Sequence, residues 1–130
     1  MNLATRIADL AAAVATEIRS RITADHPGVA KAWVCFGYVG SQVVVRKAFN
    51  VHSVTRTAKG VYRVTFANAM PDANYCWQAF ARNEGSASTL KFASARVTAD
   101  LKTATYVDVI CASQAGTLSD TTELNLTVWR

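Results

Sequence analysis

Two histidines and three cysteines are the residues of this chain best suited to nucleophilic chemistry. His52 beside Cys35, Cys76 or Cys111 would form a Cys–His pair if the thiolate were exposed. The cysteines lie instead within apolar, strand-like runs, so we expect small buried hydrophobic residues and no disulfide framework. The 130 residues contain no C-x-x-C pair, which excludes a zinc ribbon.

Carboxylates offer a second kind of chemistry, because two that face each other across a cleft can hydrolyse a glycosidic bond. The sequence has no long aromatic-rich loop that would form a sugar cleft. It also lacks a nucleophile elbow, a metal-binding helix motif, a P-loop and a dinucleotide motif. We therefore predict that the chain is not an enzyme and has no catalytic residue, metal site or cofactor.

Three tryptophans could stack on sugars or bases, or fill a core or an interface. Trp33 and Trp77 lie within apolar runs, which favours the core or a contact between subunits. Trp129 lies on the face of the last strand opposite Leu124, Leu126 and Val128. We expect Trp129 to be exposed or to make an intersubunit contact.

Composition limits the chain to one compact folded unit, since 51% of 130 residues are hydrophobic and 18% are charged. No apolar run is long enough to cross a bilayer, and the start does not resemble a signal peptide. The net charge of +5 falls entirely after residue 30, and no acid occurs between Asp25 and Asp72. This basic segment would attract phosphate or polysaccharide, or would be a solvated strand face; we expect the solvated face and no nucleic-acid partner.

The first 25 residues predict a helix that can associate with copies of itself. Alanines fill its flanks, Asn2 is a suitable N-cap, and Pro27-Gly28 follows the predicted end. An apolar stripe at spacings of three and four predicts the oligomerisation residues Leu3, Ile7, Leu10, Val14, Ile18 and Ile22. The helix could pack its stripe against the following domain, or it could pair with copies of itself in a short coiled coil. The stripe is narrow, which favours the coiled coil.

From residue 30 to residue 130 the apolar period changes to two, which predicts a head domain of about eight antiparallel strands. Turn signals at regular intervals favour a sandwich or a barrel. We predict a mainly β fold: an N-terminal α-helix forming a coiled-coil stalk, followed by an antiparallel β-sandwich. Two polar loops, Asn83–Thr89 and Ser113–Thr122, are the predicted binding loops. Their receptor-binding candidates are Asn83, Glu84, Ser86, Ser88, Gln114, Ser119 and Asp120.

Residues 30–80 carry an ordered set of short motifs. Lys31–Val34 reads KAWV, Phe49–Val51 reads FNV, and Ala69–Tyr75 reads AMPDANY. This pattern resembles a module of tail fibres and related receptor-binding virion proteins of tailed bacteriophages. The chain departs from the module at Cys35, where the family often has asparagine.

The resemblance implies a non-enzymatic virion component that is a homotrimer and is assembled in the host cytoplasm. We predict a tail fibre that attaches to other virion proteins through the N-terminal helix and binds the host surface, with cell-surface polysaccharide as a partner. We expect no membrane insertion. The alternative is a capsid decoration (cement) protein, or a baseplate or tail piece, that binds no receptor.

Overall fold

The computed structural model describes residues 2–82 and 90–130, which form one helix and two antiparallel sheets. This arrangement confirms the predicted helix followed by a mainly β sandwich. The elements are α1 (Leu3–Arg21), β1 (Ala30–Val39), β2 (Gln42–Phe49), β3 (Val51–Ala58), β4 (Val61–Phe66), β5 (Cys76–Ala81), β6 (Lys91–Ser94), β7 (Tyr106–Ser113) and β8 (Leu124–Trp129).

Helix α1 begins at a side-chain cap and ends before the proline. The backbone N–H of Thr5 donates to Asn2 Oδ1 at 2.9 Å, which satisfies a donor that the helix itself leaves unpaired. Arg19 and Arg21 lie in the last turn, where positive charge is favoured by the helix dipole. The 19 residues give a helix about 29 Å long.

Sheet A has the strand order β2-β1-β8-β5, and sheet B has the order β3-β4-β7-β6. Their inward faces form one core, in which Phe36 of β1 meets Tyr62 of β4 with ring centroids 5.2 Å apart. In β4, Tyr62, Val64 and Phe66 point inward, as their alternation with Arg63 and Thr65 predicts.

The chain passes from sheet A to sheet B through one residue, Asn50, which lies between β2 and β3. Its φ of 52° is a left-handed conformation that asparagine tolerates better than most residues. The side chain stabilises this corner: Nδ2 donates to the carbonyl of Lys31 at 3.0 Å, and Oδ1 accepts from the N–H of Asn68 at 2.7 Å. The FNV motif thus includes the residue that turns the chain between the two sheets.

The apolar pattern predicts a strand from Leu90 to Thr98, but β6 covers only Lys91–Ser94. Two residues later, Arg96 starts a turn that Asp100 closes. The Asp100 carboxylate accepts hydrogen bonds from the backbone N–H and the guanidinium of Arg96 at 2.6 to 2.9 Å. The ion pair fixes a bend where the sequence pattern continues a strand.

Candidate oligomerisation and receptor-binding surfaces

The apolar stripe of α1 faces solvent within the single chain. Its six members, the residues predicted to oligomerise, are between 50% and 73% exposed. Every other helix residue is exposed too, apart from the half-buried Ala15. No described residue of the β-domain therefore covers the stripe, and packing on that domain was one of the two predicted alternatives. A continuous apolar stripe of this kind is typical of a helix that pairs with other helices.

Strand direction places the second predicted binding loop, and the described residues that flank the first, at the end of the sandwich opposite the start of β1. Strand β1 starts at Ala30, eight residues after Ile22, and runs away from α1 to the hairpin at residues 39–42. The antiparallel register puts the hairpin at residues 58–61 and the ends of β5 and β7 at that same end. We call this the distal end. It is the part of a rigid scaffold where loops can bind a partner.

Backbone hydrogen bonds bring the flanks of the first binding loop against the second loop. The N–H of Arg82 donates to the carbonyl of Glu123 at 2.9 Å, and the N–H of Gln114 donates to the carbonyl of Leu90 at 3.1 Å. The candidates Asn83, Glu84, Ser86 and Ser88 lie outside the described residues. The two loops nevertheless start from adjacent positions on the sandwich.

Gln114 is exposed at the tip of the second binding loop. The tip is a tight turn in which the N–H of Ser113 donates to the carbonyl of Thr117 at 2.8 Å. Gly116 has a φ of 78°, a conformation that glycine adopts without strain. Ser119 is half-buried, and its N–H donates to the carbonyl of Cys111 at 3.0 Å. Gln114 therefore offers an accessible side chain on a rigid turn, whereas Ser119 anchors the turn to β7.

Asp120 holds the second binding loop to the rest of the distal end. Arg56 donates to both carboxylate oxygens at 2.9 Å, and Asp120 Oδ1 also accepts from the N–H of Gly60 at 2.9 Å and from the hydroxyl of Tyr62 at 2.7 Å. The Arg56 guanidinium lies over the ring of Tyr38, 4.4 Å from its centroid. The Asp120 side chain is 19% exposed and already has four donors. Its evident role is to position the loop, and a direct receptor contact by Asp120 stays a prediction.

The same contacts change the acidity of two groups in this cluster. The hydrogen bonds from Arg56 hold the pKa of the Asp120 carboxyl at about 2, although partial burial acts in the opposite direction. Burial, followed by the bond to Asp120, raises the pKa of the Tyr62 hydroxyl well above its usual range. Asp120 therefore remains charged, and Tyr62 neutral, over the whole physiological pH range.

Replacing Asp120 with asparagine should lower the free energy of unfolding by about 2 kcal/mol at pH 7, as the lowered pKa of Asp120 implies. A carboxyl whose pKa is lower in the folded than in the unfolded protein stabilises the fold at pH values above the unfolded-state pKa. This stabilisation is lost as pH falls from about 4 to about 2. Urea unfolding at pH 7 and at pH 2 should therefore show a difference from wild type that disappears in acid. Asp72→Asn is the control, because the Asp72 side chain is 43% exposed and pairs with the surface residue Arg130. Equal losses from the two variants at pH 7 would contradict the structural role of Asp120.

Most of the basic segment between Asp25 and Asp72 is bound to the chain itself. Arg56 pairs with Asp120, as above, and Arg63 donates to both oxygens of Asp108 at 2.8 and 3.0 Å. Arg46 donates to the carbonyl of Thr122 at 2.6 Å, and Lys31 donates to the carbonyl of His26 at 2.9 Å. The positive charge that the sequence concentrates here mainly ties strands and loops together.

The cysteines differ in burial, contrary to the expectation that all three are buried. Cys111 is fully buried, Cys35 is half-buried and Cys76 is exposed, and all three are free thiols. Cys76 points outward because it begins edge strand β5 in register with Trp129. Among residues 2–82 and 90–130 there is no group of three or more His, Cys, Asp or Glu side chains that could hold a metal ion.

Comparison with known proteins gives no relative: no family model, curated protein or solved structure matches the chain. Within the described part of the chain, no helix combines the length and the apolar character needed to cross a membrane.

Proposed function

We propose that this chain is a tail fibre of a tailed bacteriophage, a homotrimeric virion protein that binds a receptor on the host surface. One observation carries the proposal: the helix before β1 bears an apolar stripe that no described residue of the chain covers, and the second binding loop lies at the opposite end of the sandwich. This placement at opposite ends suits a protein that assembles at its N-terminal end and presents loops at its distal end.

Three parallel helices are the assembly that the stripe favours. A threefold axis along the helices places all three stripes in one seam and leaves no stripe uncovered. The N-terminal end of the bundle is then free to attach to other virion proteins. The three β-domains follow the bundle with their distal ends pointing the same way.

Receptor binding is assigned to the distal end because the second binding loop combines an exposed polar tip with a rigid base. Gln114 is accessible, whereas Ser119 and Asp120 bind the loop to the sandwich. Three copies of a weak site gain strongly from acting together on a surface that repeats its ligand. A repeating cell-surface polysaccharide is such a ligand, and exposed Lys59 at the distal end suits an anionic one.

Binding of labelled protein to a panel of intact bacterial strains tests this proposal. Alanine replacement of residues 83–89 together with Gln114→Ala should reduce binding to a susceptible strain at least about tenfold, because three linked sites are weakened at once. The matched control carries Thr55→Ala and Ser94→Ala, two exposed residues on the outer surface of sheet B. Unchanged cell binding by the loop variant, or binding to phage capsids alone, would contradict a receptor-binding fibre. Capsid binding alone would instead support the decoration protein.

A further inference from the structure

The outward face of sheet A is unusually apolar for a surface in contact with water. Two cross-strand rows, Phe49-Trp33-Thr127-Gln78 and Lys47-Cys35-Asn125-Phe80, cross its four strands, and the pair Trp129-Cys76 lies beside them. Phe49 and Phe80 are 53% and 69% exposed. Trp33 and Trp129 are half-buried. We call these ten residues the sheet-A face; the four strands make it roughly 14 Å wide.

The outward face of sheet B differs in both composition and contacts. Its centre is the ion pair between Arg63 and Asp108, and the Arg63 guanidinium lies 3.9 Å from the ring centroid of Tyr106. Its aliphatic members Val61 and Ile110 are buried by the chain itself. The two outer surfaces of one sandwich would be expected to be similar if both faced solvent. Of the two outer surfaces, as far as residues 2–82 and 90–130 form them, sheet A carries the broader apolar one, which is typical of a protein contact.

Position and charge indicate that a second copy of this chain covers the sheet-A face. The face begins where α1 leads into the sandwich, since Ala30, the first residue of β1, pairs with Trp129. Helices that associate in parallel therefore bring this part of each copy to the common axis. Lys47, on edge strand β2, is the one charged residue among the ten. At the distal border of the face Arg82 and Glu123 form an ion pair at 3.1 Å, and Glu123 also accepts from Asn125 Nδ2. Identical copies repel each other through buried like charges, so a face whose other bordering charges neutralise each other suits contact with itself.

The length of the helix supplies an independent reason for a second contact. Its 19 residues provide fewer than three heptads. A coiled coil of that length, with alanine on its flanks, is marginal in water. A stable assembly needs additional buried apolar surface, and the sheet-A face adjoins the helix exit.

We infer that the sheet-A face is a second interface between copies of this chain, continuous with the helix stripe. The inference rests on the proposed function in one respect, namely that copies associate in parallel. It adds that the β-domains pack against one another through sheet A and do not hang free from the stalk. Sheet B and the distal loops then form the outside of the assembly.

Two matched pairs of substitutions in the full chain test this interface by sedimentation equilibrium. Thr127 and Thr65 are half-buried, outward-pointing threonines on central strands of sheets A and B. Phe80 and Phe92 are exposed phenylalanines on the edge strands of the two sheets, 69% and 52% exposed. Thr127→Arg and Phe80→Glu should each weaken assembly about a hundredfold or more, because each buries an unpaired charge. Thr65→Arg and Phe92→Glu should leave the assembly unchanged.

A thiol-labelling experiment on the unsubstituted protein avoids any effect of substitution on folding. Cys76 and Cys35 lie on the sheet-A face, whereas Cys111 is buried in the core. Ellman's reagent should label Cys76 at least about tenfold more slowly in the assembly than after dilution to monomers. Equal rates, or equal assembly of Thr127→Arg and Thr65→Arg, would overturn the interface. Either result would leave the proposed receptor binding intact, provided that the protein still binds cells. A protein that assembles through the sheet-A face but binds no cells would overturn the proposed function and leave the interface intact.

Discussion

Aspartates at positions 10 and 14 are expected to convert the proposed trimer into monomers. Leu10 and Val14 lie one helical turn apart on the stripe and are 65% and 50% exposed in the single chain. In a bundle of three, the variant Leu10→Asp with Val14→Asp buries six like charges in one apolar seam. Each unpaired buried charge costs several kcal/mol, so association should weaken at least about a thousandfold. Light scattering at micromolar concentration should then give the mass of one chain.

The control for this variant places the same two charges on the opposite side of the same helix. Ala12→Asp with Thr16→Asp has the same spacing of four residues, so the losses of helix propensity and the repulsion between the aspartates are comparable. The control should keep the mass of the wild-type assembly. Dissociation of both variants would attribute the effect to a weakened helix and would contradict a seam formed by the stripe.

Among the glycines that the structure describes, Gly37 is the one whose replacement with alanine is expected to cause the largest loss of stability. An ideal Cβ at Gly37 would lie 1.8 Å from the carbonyl oxygen of Thr122 and 2.4 Å from its carbonyl carbon. The obstacle is backbone, and the segment before β8 is fixed there by the bond from the N–H of Tyr38 to the carbonyl of Thr121 at 2.8 Å. The substitution should lower the free energy of unfolding by at least about 3 kcal/mol and the melting temperature by about 10 °C.

Gly40→Ala, three residues along the same hairpin, separates this clash from the general effect of losing a glycine. Gly40 has a φ of 59°, and its added Cβ would meet nothing within 4 Å. Only the conformational cost applies there, about 1 kcal/mol. Thermal unfolding followed by circular dichroism compares the two variants. A smaller loss for Gly37→Ala than for Gly40→Ala would contradict the close passage of residues 121–122 over β1.

Local periodicity was enough to predict the helix and most strands. The stripe from Leu3 to Ile22 has helical spacing, and the alternation of Tyr62, Val64 and Phe66 defines an inward face, so each pattern depends on residues close together in sequence. The same reasoning predicted the outward direction of Trp129, because its three alternating neighbours are apolar. These features follow from a period of 3.6 or 2 and need no knowledge of the tertiary structure.

Features that depend on distant residues were not predictable in the same way. Asp120 is 64 residues from Arg56, so a polar loop residue became the centre of an ion pair that no local pattern indicates. Cys76 lies in an apolar run yet is exposed, because β5 is an edge strand and nothing in its own sequence specifies the strand order β2-β1-β8-β5. The sheet-A face was missed for the same reason, since its rows combine residues from four separate segments. Trp33 and Trp129, both assigned to contacts between subunits as one option, were the available signal.

The mass of the intact protein in solution tests the central claim, that three copies assemble through the helix and the adjoining sheet. Size-exclusion chromatography with light scattering should give about 42 kDa, three times the 14.0 kDa of one chain. A mass of 14.0 kDa at micromolar concentration would contradict the claim, because the helix stripe would then remain exposed in the working protein.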